Sequence, residues 1–188
     1  MSLFAKRPVA LLCALAVVVT STAAGAKLSM EKDSRDIEEM FYSGVEYDGY
    51  VHKSIYSQIT QRSDAANGLL SIAKNYGLDT EYTALKTARD NLDYTSGITF
   101  YYYSDQELAT AFDNLREALS NCDLSERDAE AVENYASIFS NAGNVIDNAG
   151  YNEAVREFYR DDVYTFPAEF FYDNLSIDTP DYYGTMWY

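Results

Sequence analysis

Histidine, cysteine, proline and tryptophan are nearly missing from this 188-residue chain, which holds one, two, three and one of them. A single imidazole, His52, and two thiols, Cys13 and Cys122, build neither a His/Cys metal cluster nor a disulfide framework. Positive charge is scarce too. Fourteen Lys and Arg face 30 Asp and Glu, a net charge of −16. That balance excludes the basic face needed by a nucleic-acid binder or a ligand of anionic membrane surfaces. No Gly-rich phosphate loop and no G-x-S-x-G elbow occurs. What the chain has in quantity is apolar: 47% of it is hydrophobic, and 18 of its aromatic residues are tyrosines. Such a composition belongs to a folded domain with a sizeable core.

Residues 1–26 stand apart as a signal peptide or an N-terminal membrane anchor. Lys6 and Arg7 precede an 11-residue apolar run from Val9 to Val19, and the segment closes on Ala24-Gly25-Ala26. The small-x-small ending predicts cleavage before Lys27 and export to the periplasm or cell surface. The stretch from Pro8 to Ala26 is uncharged but weakly apolar at its end, and a span wants about 20 predominantly apolar residues. An uncleaved segment would instead anchor the protein, and that is its one expected contact with a membrane. Cleavage would remove two basic residues and Cys13, taking the net charge from −16 to −18 and leaving Cys122 as the single thiol.

From Lys27 to Tyr188 the apolar spacing predicts an all-α chain: an elongated antiparallel bundle of three to four long helices with an aromatic tail. Ile37, Phe41, Val45, Ile55 and Ile59 start one stripe that continues to Tyr76. Leu85, Ala88, Leu92 and Thr95 mark a short helix, and a loop is expected from Ser96 to Tyr103. Ser104 with Glu107, and Asp123 with Glu126, read as capping boxes. Between them Leu108, Phe112, Leu115, Leu119 and Cys122 step 4-3-4-3. Beyond, Val132, Tyr135, Phe139, Ala142, Ile146 and Ala149 continue the spacing, with a phase slip at Gly150. A helix from Asp123 to Val163 would run about 60 Å at 1.5 Å per residue. No sustained alternation appears, so no sheet and no second domain are expected.

Chemistry finds few candidates. On a continuous helix Asp48 and His52 would be an i, i+4 pair on one face, a possible acid/base or metal pair. Catalysis would need a third partner, and no other His or mature Cys lies nearby in sequence, which leaves a hydrolase using Asp48 and His52 as the least favoured alternative. No helix-loop-helix calcium pattern and no Glu-x-x-His pair is present, although the acidic faces leave a divalent-cation bundle as an alternative. The chain is therefore expected to be no enzyme and to carry no cofactor. Tyr101, Tyr102 and Tyr103, with Tyr182, Tyr183 and Trp187 near the C-terminus, form a candidate interaction surface for a protein partner or self-association at the cell envelope.

Arg62-Ser63-Asp64-Ala65-Ala66-Asn67-Gly68-Leu69-Leu70, then Lys74, Tyr76 and Ala88-Arg89, is similar to the R-x-D-L-I-P-N-L-V…K-x-Y…A-R of the LemA family of bacterial envelope proteins. Tyr151-Asn152, Val155 and Phe158, then Phe166-Pro167, is similar to its Y-N-x-x-V-x-x-Y-N…F-P. The chain departs from that pattern at Asn67-Gly68, where the family has Pro-Asn, and at Tyr159, where it has Asn. The resemblance implies a long antiparallel bundle on the outer side of a membrane, without a settled biochemical activity. It implies structural roles for Arg62, Asp64, Tyr151, Asn152, Phe166 and Pro167.

Overall fold

A computed structural model describes residues 3–47, 50–52, 54–164 and 168–185, with the backbone alone described at 3–8, 45–47, 50–52, 168, 171 and 173. The chain is helical almost throughout: α1 (Leu3–Ser43), α2 (Ile55–Ala73), α3 (Asp79–Asp93), α4 (Ile98–Ser120), α5 (Glu126–Asp147), α6 (Tyr151–Phe158) and α7 (Ala168–Leu175). A π-helical turn, Tyr159–Val163, extends α6. The residues fall into two compact units, Met1–Ile37 with Glu153–Pro180, and Glu38–Asn152 with Asp181–Tyr188.

The larger unit is an up-down-up-down four-helix bundle. Helices α2 and α5 run antiparallel: Tyr76 meets Asp128, Gly68 meets Tyr135 and Arg62 meets Phe139. α3 and α4 pack on each other and line a common groove with Thr80, Thr87 and Asn91 on one side and Gln106, Thr110 and Asn114 on the other. Most of the residues the spacing singles out are in the core, while Thr95, Cys122, Tyr135 and Ala149 are only half-buried. Leu85, Ala88 and Leu92, Leu108, Phe112, Leu115 and Leu119, and Val132, Phe139, Ala142 and Ile146 are all buried. Phe112 and Phe139 stack with ring centroids 4.0 Å apart, joining α4 to α5. Burying each of the Val, Leu, Ile and Phe side chains of this core is worth about 1.5–3 kcal/mol.

Several local expectations are corrected. The first stripe does not make one helix. α1 stops at Ser43, and Val45–Tyr47 (β1) pairs antiparallel with Tyr50–His52 (β2), Val45 opposite His52. A small sheet thus exists where none was expected. α2 restarts at Ser54, whose hydroxyl accepts from the Ser57 N–H at 2.9 Å as an N-cap. The expected loop from Ser96 to Tyr103 is mostly helix: α4 opens directly after Gly97, so Tyr101–Tyr103 lie in its first turns. Ser104 caps nothing and instead meets the Thr95 hydroxyl at 2.8 Å. Ser125, not Asp123, caps α5. The long final helix is broken at Asn148–Gly150, between α5 and α6.

The smaller unit has its own core of Met30, Phe158, Val163 and Ile177, with Ile37, Tyr159, Tyr172 and Leu175 packed against it. Lys27 donates to the Leu175 carbonyl at 3.0 Å, placing a cation at the negative end of α7. Tyr159 donates to the Thr179 hydroxyl at 2.9 Å. Upstream, Val9 to Val19 leaves α1 apolar and exposed, in a helix long and apolar enough to cross a membrane.

Candidate functional site

The clearest concentration of buried polar groups lies in the bundle, where α2, α4 and the start of α6 meet the C-terminal segment. Arg62 sits on the inner face of α2, one turn beyond Gln58 and Ile59, and is 8% exposed. Its guanidinium lies 4.1 Å from the Phe139 ring centroid and donates to Asp105 of α4, itself 1% exposed. The second donor to that carboxylate is the Tyr183 hydroxyl, at 3.2 Å. Arg62 Nε and Asp105 Oδ1 are buried without a hydrogen-bond partner. Both residues line a cavity of about 320 Å3, together with Tyr102, Asp147, Asn152 and Tyr183.

Burial pushes the Asp105 carboxyl above the usual carboxylate range, against the opposing pull of the Arg62 charge and the Tyr183 hydroxyl. Burial also drives the Tyr183 phenol far up, and the neighbouring Asp105 charge adds to that. The trio is held as a neutral phenol on a paired carboxylate, an arrangement suited to fixing position rather than to moving protons.

Tyr183 reaches the site because its backbone is clamped. The Asn152 side chain donates to the Tyr183 carbonyl at 2.8 Å and accepts from its N–H at 3.0 Å. Tyr151 donates to the Asp181 carbonyl at 2.6 Å, and Thr99 to the Tyr182 carbonyl at 3.0 Å. The Tyr183 ring lies 5.7 Å from Phe41 and stands edge-on to Tyr102 at 5.4 Å. Phe41 also meets Tyr101 at 5.8 Å and Tyr151 at 5.8 Å, giving one aromatic cluster at this end of the bundle.

The structure thus divides the sequence candidates. Tyr101, Tyr102 and Tyr182 are half-buried and Tyr183 is buried. Tyr103 is 47% exposed, with Phe100 at 66% and Tyr94 at 90% on either side of the α3–α4 turn. Arg62, Tyr151 and Asn152 come together at the tail. Asp64 does not join them: it is exposed, and Arg62 pairs with Asp105 instead. Asn67 accepts from Arg89, tying α2 to α3. Trp187, Phe166, Pro167 and Asp48 lie outside the described residues. His52 is in β2, so the helical spacing that would pair it with Asp48 does not apply. Among the described residues no three His, Cys, Asp or Glu side chains gather to hold a metal. Cys122 is half-buried, its thiol 3.4 Å from the Ala118 carbonyl.

Asp105 was not among the sequence candidates, yet a signal for it exists. It falls three residues before Leu108, in register with the apolar seam that starts there. The molecule is therefore an α-helical bundle with a buried ion pair and a pinned C-terminal segment. No protein-family model, no curated protein and no solved structure matches the chain.

Proposed function

We propose that this protein is a non-enzymatic, LemA-like helical module of the bacterial cell envelope, exported by residues 1–26 and engaging a protein partner through exposed aromatic side chains. The observation that carries the reading is the pairing of an exposed apolar N-terminal helix with a bundle that keeps Tyr94, Phe100 and Tyr103 in solvent. Large aromatic groups left exposed close together in sequence are characteristic of contact surfaces, because Tyr and Phe bring area at low entropic cost. Kinship with LemA proteins is supported by the motif residues. Arg62, Tyr151 and Asn152 all serve one packing network, and Arg89 of the Ala88-Arg89 pair ties α3 to α2.

Two measurements test the proposal. The intact mass of the protein from the cell envelope, with its first residue identified, separates a start at Lys27 from a retained anchor; recovery in the cytoplasm with residues 1–26 intact would sink the address. Replacing Phe100 and Tyr103 by Ser should abolish co-purification of the partner by cross-linking while the helical content stays unchanged. Retained co-purification would sink the surface.

A further inference from the structure

The Asp181–Gly184 segment is neither helix nor strand, and its contacts follow a peptide's logic rather than a core's. The hydrogen bonds from Asn152, Tyr151 and Thr99 go to its backbone, at three consecutive residues. Backbone clamping by side chains holds an extended strand irrespective of most of its sequence, and pockets for particular side chains then set specificity. Here the pocket is one phenol slot, with Phe41 and Tyr102 as walls and Asp105 at its end. At the next residue the backbone, not the space, favours glycine: Gly184 has φ +127, a conformation that L side chains rarely adopt, while a Cβ there would make only an ordinary contact of 3.7 Å with the Tyr102 ring.

All the groups that make this site precede the segment in the chain. The chain leaves the bundle unit after Asn152 and returns at Asp181. The connection ends in an irregular stretch with Ser176 at φ 48 and Pro180. A site built wholly from one part of a chain and filled by another is filled equally well by the same segment of a second copy. Exchange of an identical element between protomers is a low-cost route to a dimer.

We propose that the cleft formed by Thr99, Tyr102, Asp105, Tyr151 and Asn152 is a binding site for an extended Tyr-Gly peptide segment, filled within the chain by Asp181–Gly184 and, between chains, by the same segment of a second copy. The inference stands on the bundle and its tail, independent of the cellular address and of Phe100 and Tyr103. In the intact chain the tether holds the segment at an effective concentration on the order of millimolar, so a free peptide competes poorly. Emptying the site from within makes it available.

The test uses the full-length chain in detergent micelles. A fluorescent peptide spanning residues 181–185 is titrated into wild type and Tyr183→Ala, with circular dichroism confirming the fold of each. Binding to Tyr183→Ala should be at least roughly tenfold tighter than to wild type. A peptide carrying Phe in place of Tyr183, or Ala in place of Gly184, should bind several-fold more weakly. Exchange is then read by mixing Tyr183→Ala, whose site is open, with Asn152→Ala/Thr99→Ala, whose segment is released. The mixture should give a heterodimer in sedimentation that neither variant gives alone. A folded Tyr183→Ala chain that ignores the peptide overturns the site, and binding of peptide with no heterodimer overturns the second copy as its occupant. Should Tyr183→Ala not fold, Tyr183→Phe, which keeps the ring and loses only the Asp105 contact, replaces it in both arms with the same expected direction.

Discussion

A buried Arg–Asp pair costs desolvation on both sides, and it endures only while both partners are present. Arg62 and Asp105 meet that condition and add the Tyr183 hydroxyl. Removing one partner, as in Asp105→Asn or Arg62→Ala, leaves a buried group unpaired and should cost about 3 kcal/mol or more in urea unfolding. Replacing both, as Arg62→Met with Asp105→Leu, should recover most of that loss. The pH dependence has a definite sign. Because burial raises Asp105 above its unfolded value, the folded state keeps a proton that the unfolded chain has released, and stability falls as pH rises through that window. Wild type should therefore lose stability relative to the double variant as pH climbs above the ordinary carboxylate range, when unfolding is compared across a pH series. Asp128 behaves in the opposite way. Hydrogen bonds from Tyr76 first, and with Ser125 second, hold it below the usual range, so its contribution is present above that range and lost as pH falls through it. Tyr76→Phe should move the acid-unfolding midpoint, followed by circular dichroism, to higher pH.

At the scale of elements, the close approach of α2 and α5 depends on one missing side chain. A Cβ on Gly68 would lie 2.2 Å from the tip of the Tyr135 ring, inside its van der Waals envelope. Gly68→Ala gains about 1 kcal/mol in helix propensity and loses the ring's seat, and overpacking of this kind costs about 1–3 kcal/mol. We expect a net loss of thermal stability, relieved in Gly68→Ala/Tyr135→Ala; an unchanged melting temperature in the single variant would show that the ring swings aside freely. Legibility follows the same physics. The seams of α3, α4 and α5 were readable because their buried residues recur at the helical period with little interruption. The hairpin was not, because Val45 and Ile55 continue the period of Phe41 by coincidence. The cue that outweighs it is Asp48-Gly49 between Tyr47 and Tyr50, a two-residue hairpin turn signature. Arg62 and Asn152 carry no local sign of what they meet. Their partners, Asp105 and the tail backbone, are 43 and 31 residues away, beyond the reach of any local spacing.

For the whole molecule, the decisive quantity is how unevenly the apolar core is shared. The bundle unit buries long stripes from four helices, whereas the smaller unit rests on Met30, Phe158, Val163 and Ile177. Local stability tracks the density of such contacts, so amide protection should be highest in α2–α5 and lower along residues 153–164 and 168–180. Phe158 is 2% exposed, and its truncation to Ala removes about 3–5 kcal/mol of packing. Hydrogen exchange read by residue should then show protection collapsing along Val155–Val163 and Ile177 while Leu69, Leu115 and Ala142 keep theirs. An equal fall through α2–α5 would mean that the two units unfold as one and that the smaller core stabilises the larger. The distinction bears on function. A smaller unit that opens while the bundle stays folded lengthens the reach of the chain between Asn152 and Asp181, and reach decides whether the Tyr183 segment can leave its own cleft for that of a second copy.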